Sequence, residues 1–420
     1  MNNDQVNIDN GMRRLRRALI AAVLLQVGPC WAAVTVATSA SARAEYDSNV
    51  FDLQSGSPVP GTTDFQRSDR LYTYGAALSV NYLWDRQKLF ATLSDNEFHY
   101  DHFTQLDHNE YNLDAGLNWK LARLYDGTLE VLRNRTMVAF TNVNDAQFVV
   151  QTEQREAAKV GLQIMPEWRI EGSGFYRTVE QLFVNAPTLD LRESSATVAV
   201  HYLGRAGLTA GLSGGFTHGD YAGPSAALNP SYRQHTFSVT AIYAPTGRST
   251  FNGVLGYSDR TSSSAFNTIS GFTGELDYDY QLTGKTSIHG QVSRAINSYI
   301  ANVSSEIDST AAYNVRWQAT YRLAVVAGYN WTTRELPGQG NPGVDSNRID
   351  HLQYVSLNMD YRPFRWLSLK PYLNYQTRNS NFIGGNFNAS VYGILFTVQW
   401  QNQRQPDQTI QQLNLPAGIH

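Results

Sequence analysis

From Val34 onward, apolar and aromatic residues recur at every second position, with Ser, Thr, Asn, Gln, Gly or a charge between them. That period belongs to strands with one apolar face. It is clearest at 72–84, 111–121, 196–202, 237–243, 272–282, 313–321 and 392–400. The breaks between such segments alternate between two kinds. Short ones fall at 85–88, 123–127, 165–167, 203–207, 245–248, 283–285, 321–323 and 362–365. Longer polar ones fall at 52–69, 102–109, 143–150, 183–190, 221–230, 262–266, 301–306, 336–347 and 381–387. Eight short and nine long connections join eighteen strands. Each strand with its connection then takes about 21 residues, the scale of long tilted strands in a membrane barrel.

The alternation of connections selects the architecture. A soluble sandwich has strands of about 5–6 residues and no reason to sort its connections by length. A transmembrane up-and-down antiparallel β-barrel has short periplasmic turns and longer extracellular loops. It must also close, because hydrocarbon offers no partner to an unpaired strand edge. Trp84, Trp119, Trp168, Tyr202, Tyr243, Leu282, Tyr361 and Trp400 fall beside the short turns. Amphipathic rings at that height form a girdle at the headgroups. Core residues of a soluble β protein are the competing reading of the same aromatics.

Composition fits this reading. Charged residues are 16% of 420, low for a globular chain, and 24 Tyr, 18 Phe and 8 Trp make it rich in aromatics. A net charge of −3 gives no basis for binding nucleic acid. Residues 1–33 read as a secretory signal: Arg13, Arg14, Arg16 and Arg17 precede a ten-residue apolar core, 18–27, too short to span a bilayer as a helix. Cleavage near Ala32 or Ala33 leaves a strand beginning at Val34; the alternative lies after Ala44. The single cysteine, Cys30, belongs to this leader, so the mature barrel is expected to lack disulfides and thiolate metal sites. The organisation is therefore a signal at 1–33, an outer-membrane barrel at 34–401 and a polar periplasmic tail at 402–420.

If the apolar face meets lipid, its complement lines the lumen. That face carries Lys120, Arg155, Lys159, Arg169, Glu171, Arg177, Glu275, Asp277, Asp279, Arg316, Asp360, Lys370 and Arg378. Both signs occur, unlike the single-sign rings that select one kind of ion. Eighteen strands enclose more space than side chains fill, so a water-filled conduit is expected, with room for a folded-in loop. Phe175, Tyr354, Trp366 and Tyr372 are inward aromatics that fit stacking on sugar rings or, more simply, filling space beside a constriction. Two features break the pattern. Leu129 and Val131 alternate out of phase with Leu132, Val138 and Phe140, which predicts a β-bulge in 128–140. Arg294 falls on the outward face.

Candidate chemistry is sparse. His99, His102, Asp107, His108 and Glu110 form the one His-rich cluster, but residues three apart on a strand face opposite ways, so a solvated mouth loop is expected rather than a metal site. No Gly-x-Ser-x-Gly elbow, phosphate loop or zincin spacing occurs, and pairs such as Ser195 and His201 are expected by chance. No catalysis and no cofactor are expected.

The opening segment, VTVATSASARAEYDSNVFDL, ends in Tyr46-Asp47-Ser48-Asn49-Val50-Phe51 and leads through a polar loop to Ser68-Asp69-Arg70. It resembles the outer-membrane barrels for exopolysaccharide biosynthesis and export found in exosortase-linked gene clusters of Gram-negative bacteria, whose first strand ends in a Tyr-Asp-(Asp/Ser)-Asn-hydrophobic-Phe run. The resemblance implies a passive conduit for a secreted polysaccharide, working with inner-membrane polymerisation components. Tyr46, Asp47, Asn49 and Phe51 match the motif, and Asp47 and Asn49 have the chemistry to order the first loop. The polar tail departs from barrels that finish on an aromatic residue. A porin for small solutes, a structural or adhesive barrel and an outer-membrane hydrolase are the competing functions.

Overall fold

In the computed structural model, residues 34–59, 62–140, 148–183, 189–204, 207–222, 231–263, 268–299, 304–337 and 347–402 are described. The expected leader and all of the tail beyond Asn402 lie outside them. Eighteen strands follow in chain order. They are β1 (Val34–Asp47), β2 (Asp69–Trp84), β3 (Gln87–Tyr100), β4 (His108–Leu121), β5 (Tyr125–Met137) and β6 (Val149–Met165). Next come β7 (Trp168–Phe183), β8 (Leu189–Leu203), β9 (Leu208–Ala222), β10 (Ser231–Thr246), β11 (Ser249–Ser262) and β12 (Ile269–Gln281). The last six are β13 (Thr286–Tyr299), β14 (Ser304–Thr320), β15 (Leu323–Leu336), β16 (Arg348–Phe364), β17 (Leu367–Ser380) and β18 (Phe387–Gln401).

Each strand pairs antiparallel with the next, and β1 pairs with β18 from Ala37↔Gln401 to Asp47↔Val391. The sheet therefore closes and leaves no edge. Cleavage after Ala44 would remove most of β1, and with it the closing ladder.

Directly paired residues share a face, so one alternation propagates around the wall. Tyr392, Ile394, Phe396, Val398 and Trp400 of β18 stand opposite Tyr46, Ala44, Ala42, Ala40 and Thr38 of β1, and this row set continues into Tyr72, Tyr74, Ala76, Leu78 and Val80 of β2. In a soluble fold such a face would be covered. Here Phe272, Leu255, Phe237 and Val198 on it are each at least 60% exposed, the mark of a surface built for acyl chains. From Trp400 to Tyr392 the face runs about 26 Å along the strand, or about 20 Å along the membrane normal at ~40° tilt. Above it the outward rows turn polar: Gly274, Arg294, Ser309, Thr333 and His351 form one such row.

The girdle aromatics Trp84, Trp168, Tyr202, Tyr243, Tyr361 and Trp400 are exposed next to the short turns, with Trp168 and Tyr202 packed 5.3 Å apart.

The bulge expected in 128–140 is absent. β5 pairs without a register shift on both sides. The out-of-phase residues have other causes: Leu132 faces the lumen opposite Asp114 and Arg155, while Val138 and Phe140 have left the strand and pack in the external mouth. Outward Arg133 and Arg135 finish β5 above its apolar rows. Register shifts occur instead beside four short turns, at Gln163/Met165, Tyr243/Thr246, Gln318/Thr320 and Tyr361/Phe364.

Candidate functional site

The pairing places Lys120, Arg155, Lys159, Arg169, Glu171, Arg177, Glu275, Asp277, Asp279, Arg316, Asp360, Lys370 and Arg378 on the lumen face, in rows that exclude the apolar outer residues. Opposite charges meet across strands. Lys159 lies 2.6 Å from Glu171, and Arg169 lies 2.6 Å from Asp126. Gly161 makes the second pair possible, because a Cβ there would stand 1.9 Å from the Arg169 guanidinium. Nearer the mouth, Arg177 bridges Glu153 at 2.7 Å and Glu193 at 2.8 Å.

Of the four aromatics singled out in the sequence, Phe175 carries the Arg155 guanidinium 4.8 Å from its ring centroid. That face is already stacked. Tyr354 and Tyr372 both face the lumen, opposite Gln376 and Asn358 respectively. The Tyr372 hydroxyl donates to Glu45, and it crosses over Gly393, where a Cβ would meet the phenol oxygen at 2.7 Å. Trp366 is a correction. The register shift after Tyr361 puts residues 365–366 in the turn, where Trp366 stacks on Phe364 at 5.4 Å and is half exposed at the membrane edge.

Sequence reasoning missed Arg43, Glu45 and Phe98, which complete the wall patch around Tyr372. Arg43 lies 3.4 Å from Glu45, donates to Thr73 Oγ1 from Nε and Nη2 at 3.2 and 3.0 Å, and covers the Phe98 ring at 5.4 Å. The signal was present: once Ala42 and Ala44 face lipid, Arg43 and Glu45 must face water.

The external mouth is packed. The β1–β2 loop, described apart from residues 60–61, folds inward rather than standing away from the barrel. Its Val50, Phe51 and Val59 form an apolar cluster with Phe103 and Leu106 of the β3–β4 loop, Phe140, and lumen-facing Val149 of β6. Phe51 sits at 4.8 Å from Phe103, edge to face, and 5.1 Å from Phe140. The matched motif builds the root of this lid. Asp47 Oδ1 accepts the Asn49 backbone N–H at 2.7 Å. The Asn49 amide donates to the carbonyls of Leu53 and Asn388, both at 2.9 Å, and its oxygen accepts from Leu53 N–H at 3.1 Å. Tyr46 instead faces lipid, 5.1 Å from Tyr392.

On the other side, the outer ends of β13 and β14 meet lumen-facing residues of β8, β10 and β11. Ser298 Oγ donates to Glu193 of β8 at 3.2 Å, although β9 to β12 separate the two strands along the wall. Tyr232 donates to the same carboxylate, and Arg260 stacks on Tyr232 at 4.0 Å while donating to Ser298 and Ser305. At this level lumen-facing Val149, Val179 and Leu191 have no exposed surface, and Leu336 and Asp350 have 1%. Toward the other end Lys120, Lys159 and Asp279 are exposed. Among the described residues the lumen face is exposed toward the short turns and packed toward the long loops.

Asp52, in the lid, donates pH dependence. Its Oδ1 accepts from Gln376 Nε2 at 3.0 Å, beside Asp47 and Arg378. Burial, and secondarily the Asp47 charge, push its carboxyl from 3.8 up to about 8. The docked lid therefore holds a proton that a solvated Asp52 loses near 4. Docking is tightest in acid and weakens by up to about tenfold per pH unit until the docked group also ionises. Raising the pH from about 4 to about 8 should progressively loosen the lid, read as conductance that rises across this window in a planar bilayer and levels off above it, and Asp52→Asn should flatten that rise. An unchanged pH profile in the variant would dismiss Asp52 as the titrating group.

The other candidates do not assemble. His99 faces outward, 3.4 Å from Asp107; His102 lies 3.6 Å from Asp64; His108 faces inward, stacked on Phe98 at 4.5 Å. Among the described residues no group of three or more His, Cys, Asp or Glu is placed to hold a metal ion. Ser195 and His201 share the lumen face of β8 six positions apart, about 20 Å along the strand.

A family described as "Putative beta-barrel porin 2" matches residues 249–400, from β11 to β18. No curated protein matches the chain. Among solved structures, the outer-membrane protein OpdK of Pseudomonas aeruginosa is similar at 12% identity, over 87% of this chain and 99% of its own, with a TM-score of 0.48. OpdQ of the same organism is similar at 9% identity, over 88% and 99%, with a TM-score of 0.48. The siderophore receptor PirA, also from P. aeruginosa, is similar at 10% identity, over 87% and 80%, with a TM-score of 0.45. The closed barrel, its lipid-facing belt and the porin-family match make this chain an outer-membrane β-barrel of porin-like architecture.

Proposed function

We propose that the barrel is an outer-membrane conduit for a secreted exopolysaccharide, shut at its external mouth when no polymer is passing. What carries the reading is the inward-folded β1–β2 loop, whose apolar cluster reaches lumen-facing Val149. A wide export conduit needs such a lid between substrates. The motif that resembles exopolysaccharide barrels is the one that anchors the lid, through Asn49 and Phe51.

Below the lid, Tyr354, Tyr372 and the Arg43–Glu45 pair offer what a sugar chain uses: ring faces for C–H surfaces and a dense set of donors and acceptors for hydroxyls. Charges of both signs, several of them paired, hold a polymer weakly enough for it to slide. Driving force would come from inner-membrane polymerisation machinery on the periplasmic side.

A porin for small solutes is the second reading, favoured by the family match over 249–400. A clean deletion separates them. Export predicts that secreted polymer disappears from the medium or accumulates in the periplasm, with solute uptake unchanged. Normal polymer secretion with impaired uptake of small solutes would reject export in favour of the porin.

A further inference from the structure

Arg294, anomalous in the sequence, does face outward. It stands opposite Gly274 of β12 and Ser309 of β14, in the row where the apolar belt gives way to polar residues. Its Nη1 donates to Ser309 Oγ at 2.8 Å, and Glu335, one row above, lies 3.7 Å away. Among the described residues these contacts use few of the five donors of a guanidinium.

Directly below Arg294 the outer wall is hollowed into a groove of about 560 Å³. Its floor is Gly290 and Ala311; its sides are Tyr278, Val292, Tyr313 and Trp331. A Cβ at Gly290 would meet only Tyr313, at 3.9 Å, so the floor is open space rather than a packed contact. An apolar trough in the acyl region, with a cation at its headgroup end, is complementary to a molecule with a chain below and an anion above. The long loops put this end of the barrel outside, so the molecule belongs to the outer leaflet.

We propose that this face binds one outer-leaflet lipid with a phosphorylated headgroup, the phosphate on Arg294 and an acyl chain along the Gly290–Ala311 floor. A second barrel copy would also match the apolar trough, and the test below separates it from a lipid by its concentration dependence.

The test is native mass spectrometry of the full barrel in detergent, titrated with bisphosphorylated lipid A or with phosphatidylcholine. The parent should retain one lipid A in preference to phosphatidylcholine. Gly290→Leu, which fills the trough, and Arg294→Gln, which removes the charge, should each lower that occupancy by roughly tenfold. Unchanged heat-modifiable gel mobility would show that both variants still fold; Arg294→Gln alters a surface residue and serves if Gly290→Leu does not. Equal retention of both lipids, unaffected binding in the variants, or displacement of lipid A by inorganic phosphate alone would overturn the proposal. So would a concentration-dependent dimer lost in Gly290→Leu, which would assign the groove to a second copy.

Discussion

Replacing residues 50–66 with a short Gly-Ser linker should turn the closed barrel into a conducting one, with mean planar-bilayer conductance rising on the order of tenfold or more. The expectation follows from where the lid packs. Phe51 lies within an apolar cluster that spans three loops and reaches the wall at Val149, so the lid is held by burial on the lumen side as well as by hydrogen bonds at its root. Smaller changes should have graded effects. Phe51→Ala removes a buried ring, which costs about 3–5 kcal/mol in packed cores. Asn49→Ala removes three hydrogen bonds, each contributing about 1 kcal/mol. Both should raise open probability without widening the open pore, because neither residue lines the lumen below. The Ser298–Glu193 contact crosses the lumen at the same end, so shortening the β13–β14 hairpin in the lidless variant should raise conductance again. Conductance equal to that of the parent after lid replacement would show that the closure lies elsewhere.

The second large effect concerns the wall. Leu255 and Val254 are neighbours on β11, facing lipid and lumen respectively. Leu255→Arg places a charge on the lipid face of β11 and should cost up to about 2–4 kcal/mol of folding stability in lipid. Val254→Arg places the same charge opposite Glu275 in the wet lumen and should cost little. Urea titration of folding into liposomes, followed by gel mobility, compares the two. Equal destabilisation would mean that the two faces of β11 meet the same environment.

Most of the wall was legible because a strand's period forces a choice of face. Once Ala40, Ala42 and Ala44 are set against lipid, Arg43 and Glu45 can only point inward, and the same step assigns Lys159, Asp277 and Arg316. Strand number followed from the two lengths of connection. The mouth was not legible, because Val50, Phe51, Val59, Phe103 and Leu106 sit in segments without any period; only tertiary contact makes them a core. Phe140 shows the cost of that blindness. Its phase along the chain predicts a bulge, whereas Phe140 has left the strand to join the lid. Trp366 failed for a related reason, since a shift at Tyr361/Phe364 moves the turn by enough to take one aromatic off the wall. The contact between Ser298 and Glu193 crosses the lumen between strands remote in the ladder, which no local pattern encodes.

Alternate residues of each strand meet lipid and water on opposite faces of a closed wall. Nitroxide scanning of β18 tests it most directly. Residues 392–400 would each be replaced by Cys and labelled in a Cys30→Ser background, since Cys30 is the chain's single cysteine. In liposomes, labels at Ile394, Phe396 and Val398 should be accessible to oxygen dissolved in the bilayer, and those at Leu395, Thr397 and Gln399 to a water-soluble paramagnetic nickel chelate, alternating without interruption. Uniform accessibility along the strand, or the opposite phase, would contradict the account.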